Sequence, residues 1–151
     1  MLPIRITLNP DNSVTVHLRD SQAVTTIRHE ATLDVNRDGR WVMGIELMGG
    51  AFDLAKAVEP FMPRRPLAGQ SGGVTYDKQA NAAYIYVPTK SEKTGLIDTD
   101  MKYWESVCLE TEFGLDSKGG LVWLRFSTRD ANISSAEFVS LIAAPVEPQM
   151  A

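Results

Sequence analysis

Apolar and polar residues alternate with a period of two along most of the chain. Ile4, Ile6 and Leu8 alternate with Arg5 and Thr7, and Val14, Val16 and Leu18 alternate with Thr15, His17 and Arg19. That is the period of a strand with one buried face. Asn9-Pro-Asp-Asn-Ser13 between them is turn chemistry, so residues 4–18 read as a hairpin. Residues 24–28 are β-branched and strand-like, and His29-Glu30 reads as a tight connection. Ala31, Leu33 and Val35 then share one face, with Thr32, Asp34 and Asn36 on the other. Asn36-Arg-Asp-Gly39 supplies a turn with Gly where a positive φ is needed. Trp41, Met43, Ile45 and Leu47 form the next inward face, Gly49-Gly50 ends it, and residues 51–58 read as a short helix before Pro60.

Residues 59–73 hold three Pro and three Gly, which forbids regular structure and marks a linker. The same grammar then recurs. Residues 74–77 and 83–87 read as strands around a Lys78-Gln-Ala-Asn81 turn, with Pro88 as the stop. Val107, Leu109, Phe113 and Leu115 share a face opposite Cys108, Glu110 and Glu112. Asp116-Ser-Lys-Gly-Gly120 turns the chain, and Val122, Leu124 and Phe126 point inward again. Ser134-Ser-Ala-Glu137 has capping-box spacing ahead of Phe138, Val139, Leu141 and Ile142, which predicts a closing helix. Residues 144–151, broken by two Pro, read as a frayed tail.

Laid side by side, the halves read as an internal repeat. Residues 6–18 align with residues 74–87 with one insertion, Ile6 on Val74 and Leu18 on Val87. Residues 35–47 align with residues 115–126 with one deletion, Val35 on Leu115 and Leu47 on Phe126. Val74-Thr-Tyr-Asp-Lys-Gln-Ala-Asn-Ala-Ala-Tyr-Ile-Tyr-Val87 resembles the opening of a family of short prokaryotic β-proteins known as domain of unknown function 2283. Asn36-Arg-Asp-Gly39 followed by Gly44-Ile-Glu-Leu47 is similar to that family's closing pattern. The second half thus resembles the family's beginning and the first half its end. In the reverse comparisons Asn9 and Asn81 stand where Asp is expected, and Trp123-Leu-Arg125 replaces Gly-Ile-Glu. The motifs are turn and strand chemistry, so the resemblance implies an architecture of diverged tandem copies and carries over no catalytic residue.

Composition adds bounds. A chain of 151 residues, 23% charged, is long enough to bury a core without metal or disulfide. The single Cys108 makes no internal bridge, and Met1-Leu-Pro-Ile-Arg lacks the basic start and apolar core of a signal peptide. These point to a cytoplasmic protein with no membrane partner. The net charge of −4 comes from the second half: residues 1–72 carry 8 basic and 8 acidic side chains, residues 73–151 carry 7 and 11. That balance disfavours nucleic acid, which selects basic surfaces.

Asp34, Asn36 and Asp38, with Gly39 in the sixth place, match the first half of a calcium loop. The twelfth place is Ile45, however, and Glu46, one residue late, turns to the other face of a strand. A hairpin turn is the expected reading. It makes Gly39 matter for its φ, leaves Asp34 nearly dispensable, and calls for no metal or other cofactor. A second cluster, Asp98, Asp100, Tyr103, Trp104 and Glu105, lies in the acidic connection at residues 88–105, where carboxylates and an aromatic wall could hold a small ligand or share hydrolytic acid and base work. The bland reading of that cluster is a solvated loop. His17, His29 and Cys108 lie in no nucleophile motif, and the carboxylates beside Cys108 oppose a thiolate. Residues 69–73 lack the Lys-Ser or Lys-Thr of a phosphate loop and lead into a strand. Tyr84 and Tyr86 share one strand face, where exposed rings could stack bases or sugars; the acidic charge of that half argues against bases, and packing or a subunit interface is the expected reading.

The chain therefore reads as β-rich α+β: two related antiparallel β-meanders, residues 1–58 and 74–143, each followed by a short helix and packed as one pseudo-twofold sandwich or barrel-like unit. The expected function is a non-enzymatic protein-binding or assembly module, with protein partners that include a second copy of the chain as a homodimer. The alternative is a small-ligand or hydrolytic site at residues 88–105.

Overall fold

A computed structural model describes residues 5–36, 41–50, 52–62, 73–86, 104–127, 129 and 146–148. The alternating segments form β1 (Arg5–Leu8), β2 (Ser13–His17), β3 (Thr25–Asn36), β4 (Trp41–Met48), β5 (Gly73–Asp77), β6 (Ala82–Tyr86), β7 (Trp104–Leu115) and β8 (Leu121–Ser127). A short β9 (Val146–Pro148) follows, and helix α1 (Leu54–Val58) runs into a 3-10 turn, Glu59–Phe61. The strands make one sheet in the order β5-β6-β4-β3-β7-β8-β2-β1-β9. Its first eight strands pair antiparallel and curl into a half-barrel, so the chain is β-rich α+β and barrel-like.

The connectivity differs from two separate meanders. Reading outward from the central β3·β7 pair, the order is β4, β6, β5 on one side and β8, β2, β1 on the other. Each side therefore holds one hairpin from each half of the chain. The hairpin β1–β2 lies on β8, and the hairpin β5–β6 lies on β4. The apolar face is continuous across both joins: Val14 and Val16 of β2 continue the buried face of Leu124 and Phe126 on β8, as Ala83 and Ile85 of β6 continue that of Ile45 and Leu47 on β4. The buried residues of both halves form one cluster.

Local irregularities fall at matching places. The ladder between β3 and β4 shifts at Asp34/Val35, and the ladder between β7 and β8 shifts at Gly114/Leu115. Val35 and Leu115, aligned from sequence, are each the first residue beyond the shift. Asn12 and Asn81, with φ of 68° and 49°, sit in the turns just before β2 and β6. Asn tolerates this left-handed conformation better than other residues with a Cβ.

Two expectations change. The His29-Glu30 connection is absent; β3 runs unbroken and all 12 of its residues pair with β7. Ile27, His29, Ala31, Leu33 and Val35 stay in one phase, and the His29 ring is a packing group, 5.2 Å from the Phe52 centroid and 6.4 Å from that of Phe113. Part of the tail, Val146–Pro148, lies in parallel along β1, pairing Ile6 with Val146. In the segment read as linker, Phe61 belongs to the core. Helix α1 is capped by Asp53, whose carboxylate accepts from the Lys56 N–H at 3.1 Å, and it lies against β5 and β6. The helix expected from Ser134 lies outside the described residues.

Candidate interaction surfaces and the sheet-end cleft

The sheet face opposite the core carries two different arrangements. Beside the first ladder shift, Asp34 faces outward from β3, and both of its oxygens are engaged. The Tyr84 hydroxyl donates to Oδ2 at 2.8 Å, and the Ser106 hydroxyl donates to Oδ1 at 2.6 Å. Burial, then the hydrogen bond to Asp34, holds the Tyr84 phenol well above its ordinary range. Tyr86 tilts against Tyr84 with centroids 4.7 Å apart. Gly44 makes room for this ring: a Cβ there would fall on the Ile85 carbonyl oxygen and the Tyr84 ring.

Beside the second shift, Gly114 lies opposite Trp123, and a Cβ at Gly114 would enter the indole. The Arg125 guanidinium sits 5.4 Å from the Trp123 ring centroid and donates to both Glu112 oxygens, at 3.3 and 2.9 Å. Arg28 approaches Glu110 at 3.6 Å, but both side chains are about 70% exposed, so that pair contributes little. Asp11 accepts from the Ser13 hydroxyl and N–H, which lowers its pKa. Asp11, Ser13, Arg28, Glu110, Glu112 and Arg125 border a cavity of about 330 Å³.

The larger concavity lies at one end of the sheet. Residues 18–24 carry the chain from β2 to β3 across the end of the β7–β8 hairpin, held by Leu18 N–H to the Val122 carbonyl (2.9 Å) and Val24 N–H to the Leu115 carbonyl (2.8 Å). Arg19 ties this arch down. It donates Nη2 to Asp116 at 2.6 Å and Nε to the Leu121 carbonyl at 2.9 Å, with its guanidinium 5.8 Å from the Phe61 ring. Asp116 also accepts from the N–H groups of Lys118 and Gly120, at 2.9 and 2.8 Å. The Arg19 hydrogen bond and then the Gly120 N–H hold its carboxyl at a pKa of about 2. Arg19 and Asp116 are only 24% and 16% exposed, so this pair is better shielded than the one at Arg28. Lys56 and Lys118 also line this cleft, whose volume is about 1090 Å³.

The sequence candidates are placed as follows. Asp34, nearly dispensable on the turn reading, is a shared acceptor for the Tyr84 and Ser106 hydroxyls. Asn36 ends β3, paired with Trp41 and Trp104, and Asp38 lies outside the described residues. Trp104 and Glu105 begin β7, opposite Asn36 and Val35. Asp98, Asp100 and Tyr103 lie outside the described residues. His17 lies near Thr7, with Nε2 and Oγ1 2.7 Å apart on adjacent strands. Cys108 is exposed, with its sulfur 3.9 Å from the Thr32 hydroxyl. Sequence reading missed the Arg19–Asp116 pair: Asp116-Ser-Lys-Gly-Gly120 showed a turn, and nothing in it pointed to a partner 97 residues away.

The sheet's two margins differ. The outer edge of β1 is covered by β9, whereas among the described residues no strand pairs with the outer edge of β5. No described helix is long and apolar enough to cross a membrane. Comparison with known proteins gives no match to a family model, a curated protein or a solved structure.

Proposed function

We propose that this chain is a non-enzymatic module that binds protein, copies of itself included, by adding extended segments to the margins of its sheet. The observation that carries the reading is β9: three residues, Val146–Pro148, lie along β1 in register, so this sheet already takes up a short extended segment at one margin. The matching ladder shifts, the paired Asn turns and the strand order support an internal duplication, and the likeness to the domain of unknown function 2283 family rests on the sequence motifs alone. Light scattering across a concentration series tests self-association. A mass that rises above 16.6 kDa with concentration is expected, and a concentration-independent monomer removes that part of the reading.

A second reading, small-ligand binding, is favoured by the cleft at Arg19. With Arg19 and Asp116 neutralising each other, Lys56 and Lys118 outnumber Glu59 there, which suits a small anion. The hydrolytic or ligand site at residues 88–105 belongs to this reading too, because that connection joins β6 to β7 as residues 18–24 join β2 to β3. Millimolar phosphate or citrate should then raise the melting temperature of the wild type, and Lys118→Ala should weaken the rise.

A further inference from the structure

We infer that the partner at the β5 margin is β5 of a second copy, paired antiparallel about Thr75; this rests on the self-association reading above. The strand Gly73–Asp77 is Gly-Val-Thr-Tyr-Asp. It carries no Pro, no Lys and no register shift against β6. Its equivalent, β1, is the margin already covered by β9.

The sequence of β5 is self-complementary in one register. A twofold axis perpendicular to the sheet at Thr75 sets Thr75 opposite Thr75 of the other copy. Val74 then meets Tyr76, and Gly73 meets Asp77. Val74 and Tyr76 pack with the apolar core, so this axis continues the apolar face from one copy to the next. A β-branched residue opposite an aromatic, and Thr opposite Thr, are favourable cross-strand pairs. The strand's one charge, Asp77, stands at the end, away from its own copy, and its carboxylate is turned toward the Gln79 and Ala80 N–H groups. An axis along the strand would instead join the apolar face of one sheet to the polar face of the other. The perpendicular twofold also closes on itself, limiting assembly to two copies at this margin. Five residues form a short interface, so the dimer should dissociate on dilution.

The test uses charge at the axis, in the full chain. Thr75 lies half-buried on the polar face, where Lys or Glu can point to water in a monomer. Thr75→Lys and Thr75→Glu should each lower the dimer fraction at least tenfold, with melting temperatures near that of the monomeric wild type. An equimolar mixture should recover the dimer, because opposite charges then face each other across the axis. If both variants are as dimeric as the wild type, the β5 pairing is wrong while self-association stands; if the wild type is monomeric throughout, both fall. Should the variants fail to fold, hydrogen exchange on the wild type decides. Among residues 73–77, alternate N–H groups are bonded to β6 and protected at every concentration; protection of the outward-facing ones that is lost on dilution supports the pairing, and their exchange at one rate across the concentration series overturns it.

Discussion

The two ladder shifts solve one backbone problem with different side chains. At Asp34/Val35 the space over Gly44 is filled by Tyr84 from the neighbouring strand, and the ring's hydroxyl is anchored on Asp34. At Gly114/Leu115 the space over Gly114 is filled by Trp123 directly opposite, and the ring is overlaid by Arg125, itself held by Glu112. In each case a bare glycine backbone is covered by an aromatic ring. The polar supplement is what varies: an uncharged donor on a carboxylate in one, a cation over a ring in the other. The ring over glycine is common to both shifts, and the polar partners are where they differ.

Substitution at the glycines should show the largest effect and the clearest asymmetry. Gly44→Val meets a backbone carbonyl that cannot rotate away, and should destabilise by about 3 kcal/mol or more. The atoms nearest a Cβ at Gly114 are those of the Trp123 side chain, which can swing out, so for Gly114→Ala a loss of about 1–3 kcal/mol is expected. Urea midpoints measured side by side would break the comparison if the order were reversed.

The polar partners come next. Asp34→Ala leaves the Tyr84 and Ser106 hydroxyls without their acceptor and should cost about 1–3 kcal/mol. Glu112→Gln removes a partly exposed ion pair and should cost about 1 kcal/mol or less. Chemical denaturation of both variants sharpens the contrast; equal losses would mean that the two supplements are equivalent after all.

Acid titration separates the sheet-end cleft from both shifts. The Asp116 pKa lies near 2 in the folded chain against an ordinary 3.8, so its stabilising contribution is full above the ordinary value and is lost as pH falls from there toward 2. Asp116→Asn should flatten the melting-temperature profile in that window and leave it unchanged in shape above pH 5. A variant that kept the wild-type acid slope would show that other carboxylates dominate it.

The smallest expected effect is that of calcium. Both Asp34 oxygens already accept hydroxyl donors, so millimolar calcium should leave the melting temperature unchanged. A saturable rise that Asp34→Ala abolishes would make the first ladder shift a cation site and the second its metal-free counterpart.

Strand positions were legible because burial of one face writes itself as alternation: Ile6, Val14, Val16, Leu33, Ile45 and Leu124 are all in the core. The turns at Asn12 and Asn81 were legible from residue chemistry. Which hairpin lies beside which was not, since β2 presents the same apolar face whether its neighbour is β3 or β8. His29-Glu30 misled because a polar pair resembles a turn, yet His29 keeps phase and packs on Phe52. Asp34 looked like turn chemistry; its role depends on Tyr84, 50 residues on, and Ser106, 72 residues on. Long-range pairs of this kind leave no local pattern.

The exchanged hairpins also have a consequence for synthesis. β1 and β2 leave the ribosome before the rest of the sheet, but β2 finds its outer neighbour only when β8 has emerged, with Ser13 waiting for Ser127. The sheet cannot grow by adding each new strand to the last, and the nucleus must join segments far apart in sequence, a topology that folds slowly. Until then the apolar faces of Val14 and Val16 are held by their own hairpin alone. The nascent first half is the stage most dependent on dilution or a chaperone, and a chain truncated before β8 should aggregate rather than accumulate as a soluble domain.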